Sequence, residues 1–178
     1  LAYSGVANSG FIFLAIFASV EFNFSVAAFY VITYTVTTVS AISIITFISS
    51  NKFDLVYIKD LKGLSSKSGL ISVLFMITLL STAGIPLTIG FYAKYLVLDA
   101  LVDQSMIITA VIVVLFTVVG LYYYLRVIWF MFFETGFNSM IKSNGAINLI
   151  ILSIIPFTII AIFIFPNFAF NYLFAILT

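Results

Sequence analysis

The sequence predicts an all-α integral membrane protein of five transmembrane helices, the third of them discontinuous. Three observations carry that prediction. The 178 residues are 64% hydrophobic and 7% charged, against about 25% charged in a soluble domain. Several apolar runs exceed the ~18 residues a helix needs to cross a bilayer, which favours helices over the short strands of a barrel. One of those runs also contains Gly84, Pro86, Gly90 and Lys94, residues that an ordinary span avoids.

Composition closes off several functions. The chain has neither cysteine nor histidine, so disulfides, thiolate chemistry and the usual metal or haem ligands are not expected within it. A net charge of +1 suggests no nucleic-acid partner. No phosphate-cradling glycine loop and no nucleophile–base set occurs. No cofactor or metal site is therefore expected here. Membrane lipid is an expected partner, anionic lipid above all, near a lysine-rich loop.

Taken in order, the first span covers about 3–20 and the second about 24–48. The second carries hydroxyls at Thr33, Tyr34, Thr35, Thr37, Thr38, Ser40 and Ser43. Such hydroxyls either bond back to their own helix and its neighbours, or hold water beside a proton path, with Thr33, Thr37, Thr82 and Thr88 as the candidates. A polar connection follows over 49–69, with Lys52, Lys59, Lys62 and Lys67 among Asp54 and Asp60. Phe53, Tyr57, Leu61 and Leu64 recur there at helical spacing, as in a short amphipathic helix on the membrane surface. A solvated loop is the alternative.

The third span, about 70–102, is too long for one straight helix across ~30 Å of hydrocarbon. Pro86 removes a backbone donor and its ring crowds the Thr82 carbonyl, while Gly84 and Gly90 let the backbone leave helical geometry. A break over about 85–90 would divide the span in two. Irregular backbone at membrane depth is tolerated only inside protein or beside a wet cavity. Lys94 falls about 9 residues from the far end of the span, ~13 Å at helical rise, too deep for easy snorkelling. An ionisable residue at that depth marks a functional site by default. An ammonium taken out of water gives up its proton more readily, which suits a lysine to proton relay.

The fourth span, about 104–133, ends in Tyr122, Tyr123, Tyr124, Arg126 and Trp129. These are interface types, and Arg126 with Trp129 reads as an interfacial anchor rather than a buried counter-charge. The fifth span covers about 146–165 with Pro156 as a kink, and 166–178 is an apolar tail. With sides alternating, the N-terminus, the 49–69 loop and the 134–145 turn share one side. That side collects every lysine and arginine except Lys94, and the other carries Glu21, Asp99 and Asp103. The positive-inside rule turns the first side towards cytoplasm or matrix, leaving Lys94 as the cation that topology does not explain.

The residues from Ser81 to Tyr95, STAGIPLTIGFYAKY, resemble the broken-helix signature of the antiporter-like proton-pumping membrane subunits. These belong to NADH–quinone oxidoreductase (respiratory complex I) and to multi-subunit cation/proton antiporters. The opening LAYSGVANSGF resembles the segment after the family's central lysine helix, DLKGL at 60–64 the connection before the broken helix, and LYYYLR at 121–126 the end of the next-to-last core span. The tyrosine run and the lysine after the break look most like the subunit 2 branch.

The resemblance implies that Lys94, in the second half of the broken helix, is the distal proton carrier; Gly84, Pro86 and Gly90 are the hinge expected from their backbone chemistry. It implies an H+-translocating NADH:ubiquinone reductase whose NADH, FMN, iron–sulfur clusters and ubiquinone lie in other subunits. It also implies other antiporter-like and small membrane subunits as partners. The family's first symmetry-related unit has no counterpart here, and Ser68-Gly69 stands where the family often has proline. The chain begins at Leu1 and its first methionine is Met76. The expectation is accordingly the C-terminal half of a split subunit, partnered by an N-terminal half on a separate chain. With 21 phenylalanines and 10 tyrosines, the composition suggests the mitochondrial inner membrane, N-terminus in the matrix and C-terminus in the intermembrane space. A bacterial inner membrane is the alternative. Two rival readings are a cation/proton antiporter subunit and a non-conducting structural fragment in which a fixed carboxylate pairs Lys94.

Overall fold

In the computed structural model, residues 2–19, 24–49 and 57–135 and Pro156 are described. Apart from Pro156, the fifth span, together with the C-terminal tail, Glu21, Lys52, Phe53 and Asp54, lies outside them. The described residues are helical with no strand. Helix α1 is Ala2–Phe17 and α2 is Ser25–Ser49; a 3-10 turn at Ile58–Leu61 precedes α3, Leu64–Lys67. Then come α4, Gly69–Ala83, α5, Ile89–Asp103, and α6, Ile107–Phe133.

Among the described residues two helices, α2 and α6, are long and apolar enough to cross a membrane unaided. Helix α2 is the central post, packing against α1, α4 and α5. Its buried stripe, Thr33, Thr37, Ser40, Ile44 and Ile48, repeats at helical spacing. The two halves of that stripe face different helices. Ala41, Ile44 and Ile48 pack with Ile71, Leu74, Phe75 and Leu79 of α4, whereas Ala27, Phe29 and Tyr30 pack with Ile89, Ala93, Val97 and Leu101 of α5. Helices α4 and α5 thus follow one another along α2, and the interval between them falls opposite its middle.

That interval is 84–88 rather than 85–90, and of the two glycines only Gly84 leaves helical geometry. Gly84 takes φ 83° and closes α4 in a Schellman motif: its N–H donates to Ser81 O at 3.0 Å and the Ile85 N–H to Leu80 O at 3.0 Å. Pro86, two residues on, has no N–H with which to resume the helix. Leu87 takes φ 77°. Thr88 then caps α5, accepting from Phe91 N at 3.4 Å while donating to Ile85 O at 2.7 Å. Gly90 is not part of the hinge. It lies in the first turn of α5, where the absence of a Cβ lets α5 press against α4.

The predicted fourth span, α6, starts at Ile107, not near 104, because α5 ends in a second Schellman turn. There Ser105, φ 60°, stands where glycine is usual, and Met106 N–H donates to Leu101 O at 2.9 Å. The loop expectation is also corrected. Residues 57–67 form the 3-10 turn and the four-residue α3 instead of one amphipathic surface helix. Leu61 and Leu64 turn inward against α6, and Tyr57 is exposed. Gly63 N–H donates to Phe130 O at 3.1 Å, and Lys62 pairs with Glu134 at 2.6 Å. These contacts hold the lysine-bearing connection against the Arg126 end of α6. Leu64 is fully buried; Leu64→Ala is expected to cost about 2–5 kcal/mol, read as a lower unfolding temperature in detergent.

Candidate functional site

The Lys94 side chain runs back from α5 over Gly84 to the end of α4. Its Nζ donates to Thr82 O at 3.0 Å and to Ala83 O at 2.9 Å. The Schellman motif uses the Leu80 and Ser81 carbonyls and leaves Thr82 and Ala83 to be satisfied from outside. The lysine fills that need, placing a cation at the negative end of the α4 dipole. The Thr82 carbonyl, which the Pro86 ring was expected to crowd, thus holds the lysine. The Phe11 ring lies 5.2 Å from Nζ, a cation–π contact.

Among the described residues no carboxylate pairs with Lys94; the ion pair they contain is Lys62–Glu134. Among the described residues the ammonium is held by neutral groups.

A small polar cleft adjoins the lysine, between α1, α2 and the break. Thr33, Thr37, Thr82, Asn8, Tyr30 and Lys94 are among its walls. Its volume of about 10 Å³ sits at the least that admits one water. Thr33 and Thr37 are about 12–18 Å along α2 from its start at helical rise, so the lysine lies level with mid-helix. On the other side of Lys94 is a larger apolar groove of about 420 Å³ between α1 and α6, walled by Phe11, Val113, Phe116 and Tyr124 among others.

The predicted site residues divide accordingly. Thr33, Thr37 and Thr82 meet at the cleft with Lys94. The hydroxyl of Thr37 donates to Tyr34 O at 3.0 Å and that of Thr82 to Leu79 O at 2.9 Å. Their protons are held by backbone, and only lone pairs remain for water. Thr88 is not at the cleft, since its hydroxyl is occupied in capping α5. Arg126 is exposed, 5.9 Å from the Phe130 ring, and the exposed Trp129 stacks on Phe133 at 4.7 Å. Both lie apart from the cleft.

Sequence reasoning missed Asn8 and Tyr30. The Tyr30 hydroxyl donates to Asn8 Oδ1 at 2.8 Å, and Asn8 Nδ2 donates to Ser4 O at 2.8 Å. A lone amide on the buried stripe Ser4, Asn8, Phe11, Ala15 was the available signal.

A helix interrupted opposite the middle of its neighbour, with a lysine on the carbonyls of the break, is an arrangement that membrane proteins use at ion and proton sites. Residues 1–120 match the family described as NADH:quinone oxidoreductase/Mrp antiporter, TM, and the chain belongs to that family. It is 37% identical over 175 residues to NADH-quinone oxidoreductase subunit N of Cupriavidus taiwanensis, covering 88% of this chain and 35% of the relative. Subunit N of Nitrosomonas europaea is 40% identical over 134 residues, covering 75% of this chain and 28% of that protein. The fold is similar to that of a chain in the structure of respiratory complex I from Thermus thermophilus with bound aureothin. The TM-score is 0.81 at 24% identity, over 96% of this chain and 38% of that one. The chain therefore spans about a third of the length of these relatives.

Proposed function

We propose that the chain is the distal part of a proton-translocating, membrane-arm subunit of an NADH–quinone oxidoreductase, with Lys94 as proton carrier. One observation carries the reading: a lysine at mid-helix depth held by two carbonyls of a helix break, beside a polar cleft, with no described carboxylate to fix its charge. Protonated, the ammonium is favoured by the α4 dipole. Deprotonated, the amine still has two N–H groups for the same two carbonyls, so the proton can leave without dissolving the break. A charge displaced in a neighbouring subunit biases which form prevails. The resemblance to subunit N and the 40% and 37% identities support this branch of the family. NADH, FMN, iron–sulfur clusters and ubiquinone belong to other subunits, and antiporter-like and small membrane subunits are the partners.

The rival within the family is a cation/proton antiporter complex. Purification through a tag on this chain is expected to recover NADH–quinone reductase activity; recovery of cation/proton antiport without quinone reduction would place it in the other complex. The bacterial relatives support a bacterial inner membrane, whereas the composition led to its mitochondrial counterpart. In either, the lysine-bearing connection faces the cytoplasm or matrix.

A further inference from the structure

A buried hydrogen-bonded chain runs across three helices beside Lys94: Tyr30 of α2, Asn8 and Ser4 of α1, and Tyr124 of α6. All four side chains are at least 95% buried. Asn8 lines both the small cleft and the large groove, so it stands at the partition between them. Three members of the chain are hydroxyls, which accept one proton and release another. A continuous row of such groups would carry protons from the cleft to the groove without passing through Lys94.

The amide interrupts that row. The Ser4 main-chain carbonyl can only accept, so the Asn8 group facing it at 2.8 Å must be the NH2. Oδ1 consequently faces Tyr30, whose hydroxyl must donate to it at 2.8 Å. Nδ2 also lies 3.3 Å from Ser4 Oγ. The directions at Asn8 are fixed, and the link between Tyr30 and Ser4 is an amide that neither binds nor releases a proton near neutral pH. We propose that Asn8 is a proton-insulating, positioning residue, whose amide joins the cleft hydroxyl of Tyr30 to Ser4 and Tyr124 mechanically while preventing protons from bypassing Lys94.

This rests on Lys94 carrying protons, but its test does not require turnover. The intact complex is reconstituted in vesicles, a pH gradient is imposed without NADH, and its decay is followed with an entrapped dye. Asn8→Asp puts a carboxyl with a transferable proton between the two hydroxyls, and the gradient is expected to decay several-fold faster than in wild type. Asn8→Leu also breaks the brace but carries no proton, and is expected to leave the decay unchanged. Adding Tyr30→Phe to Asn8→Asp removes the entry hydroxyl and is expected to restore the slow decay. Equal decay in Asn8→Asp and wild type overturns the proposal, as does equal acceleration in Asn8→Leu. Should Asn8→Asp not assemble, Asn8→Ser, which leaves a hydroxyl and room for water, is expected to leak and overturns the proposal if it does not. Failure of the Lys94 assignment is read separately, from pumping by a Lys94 variant with Asn8 intact.

Discussion

Gly90→Ala is expected to abolish stable assembly of the subunit. A Cβ at Gly90 would stand 2.8 Å from Ser81 C and closer still to its carbonyl oxygen, with Ser81 Oγ at 3.1 Å. The obstruction is backbone, so no rotamer change relieves it, and α5 would have to move away from α4. The Gly90 N–H, 3.3 Å from Ser81 Oγ, would lose its contact, and Lys94 would be drawn from the Thr82 and Ala83 carbonyls. Overpacking of a well-packed interior costs about 1–3 kcal/mol, and more where backbone must shift. The measurement is the amount of this chain in purified complex. Gly10→Ala is the control, because a Cβ there meets nothing within 4 Å, and normal assembly is expected. Normal assembly of Gly90→Ala would show that α4 and α5 are not this close.

Lys94→Met is expected to assemble and to slow NADH–quinone turnover. Methionine approximates the length of the lysine stem and removes every donor from the Thr82 and Ala83 carbonyls. Leaving a buried polar group unsatisfied costs about 1–3 kcal/mol, so a lower unfolding temperature should accompany the change unless water enters the cleft. Lys94→Arg keeps the cation but brings a broad planar fork to a place where even a Cβ on Gly84 would lie 2.7 Å from Lys94 Cδ. It is therefore expected to rescue poorly. A fully active Lys94→Arg would mean that charge alone, and not the fit on the break, is what the site needs.

What could be read from residues alone was the helical membrane class and the position of a disrupted span, because Gly84, Pro86 and Lys94 are costly in an apolar helix. The cause of the break was less legible. Glycine and proline were both expected to act there, but only the backbone shows that the left-handed Gly84 ends α4 first and that Pro86 keeps it ended. Gly90 looked like a second hinge because glycine has two uses, conformational freedom and absence of bulk, and only the position of Ser81 shows which applies. Leu61 and Leu64 have the spacing of an amphipathic helix, but hydrogen bonding to the end of α6 divides their segment into two short turns. Asn8 and Tyr30 are 22 residues apart in sequence, and nothing local couples them.

The measurement closest to the central claim is the number of protons translocated per NADH oxidised by vesicles containing the complex with Lys94→Met. Turnover and passive leak are recorded in the same preparation. If Lys94 carries protons, the ratio falls below that of wild type while leak is unchanged. A wild-type ratio at measurable turnover would contradict the account.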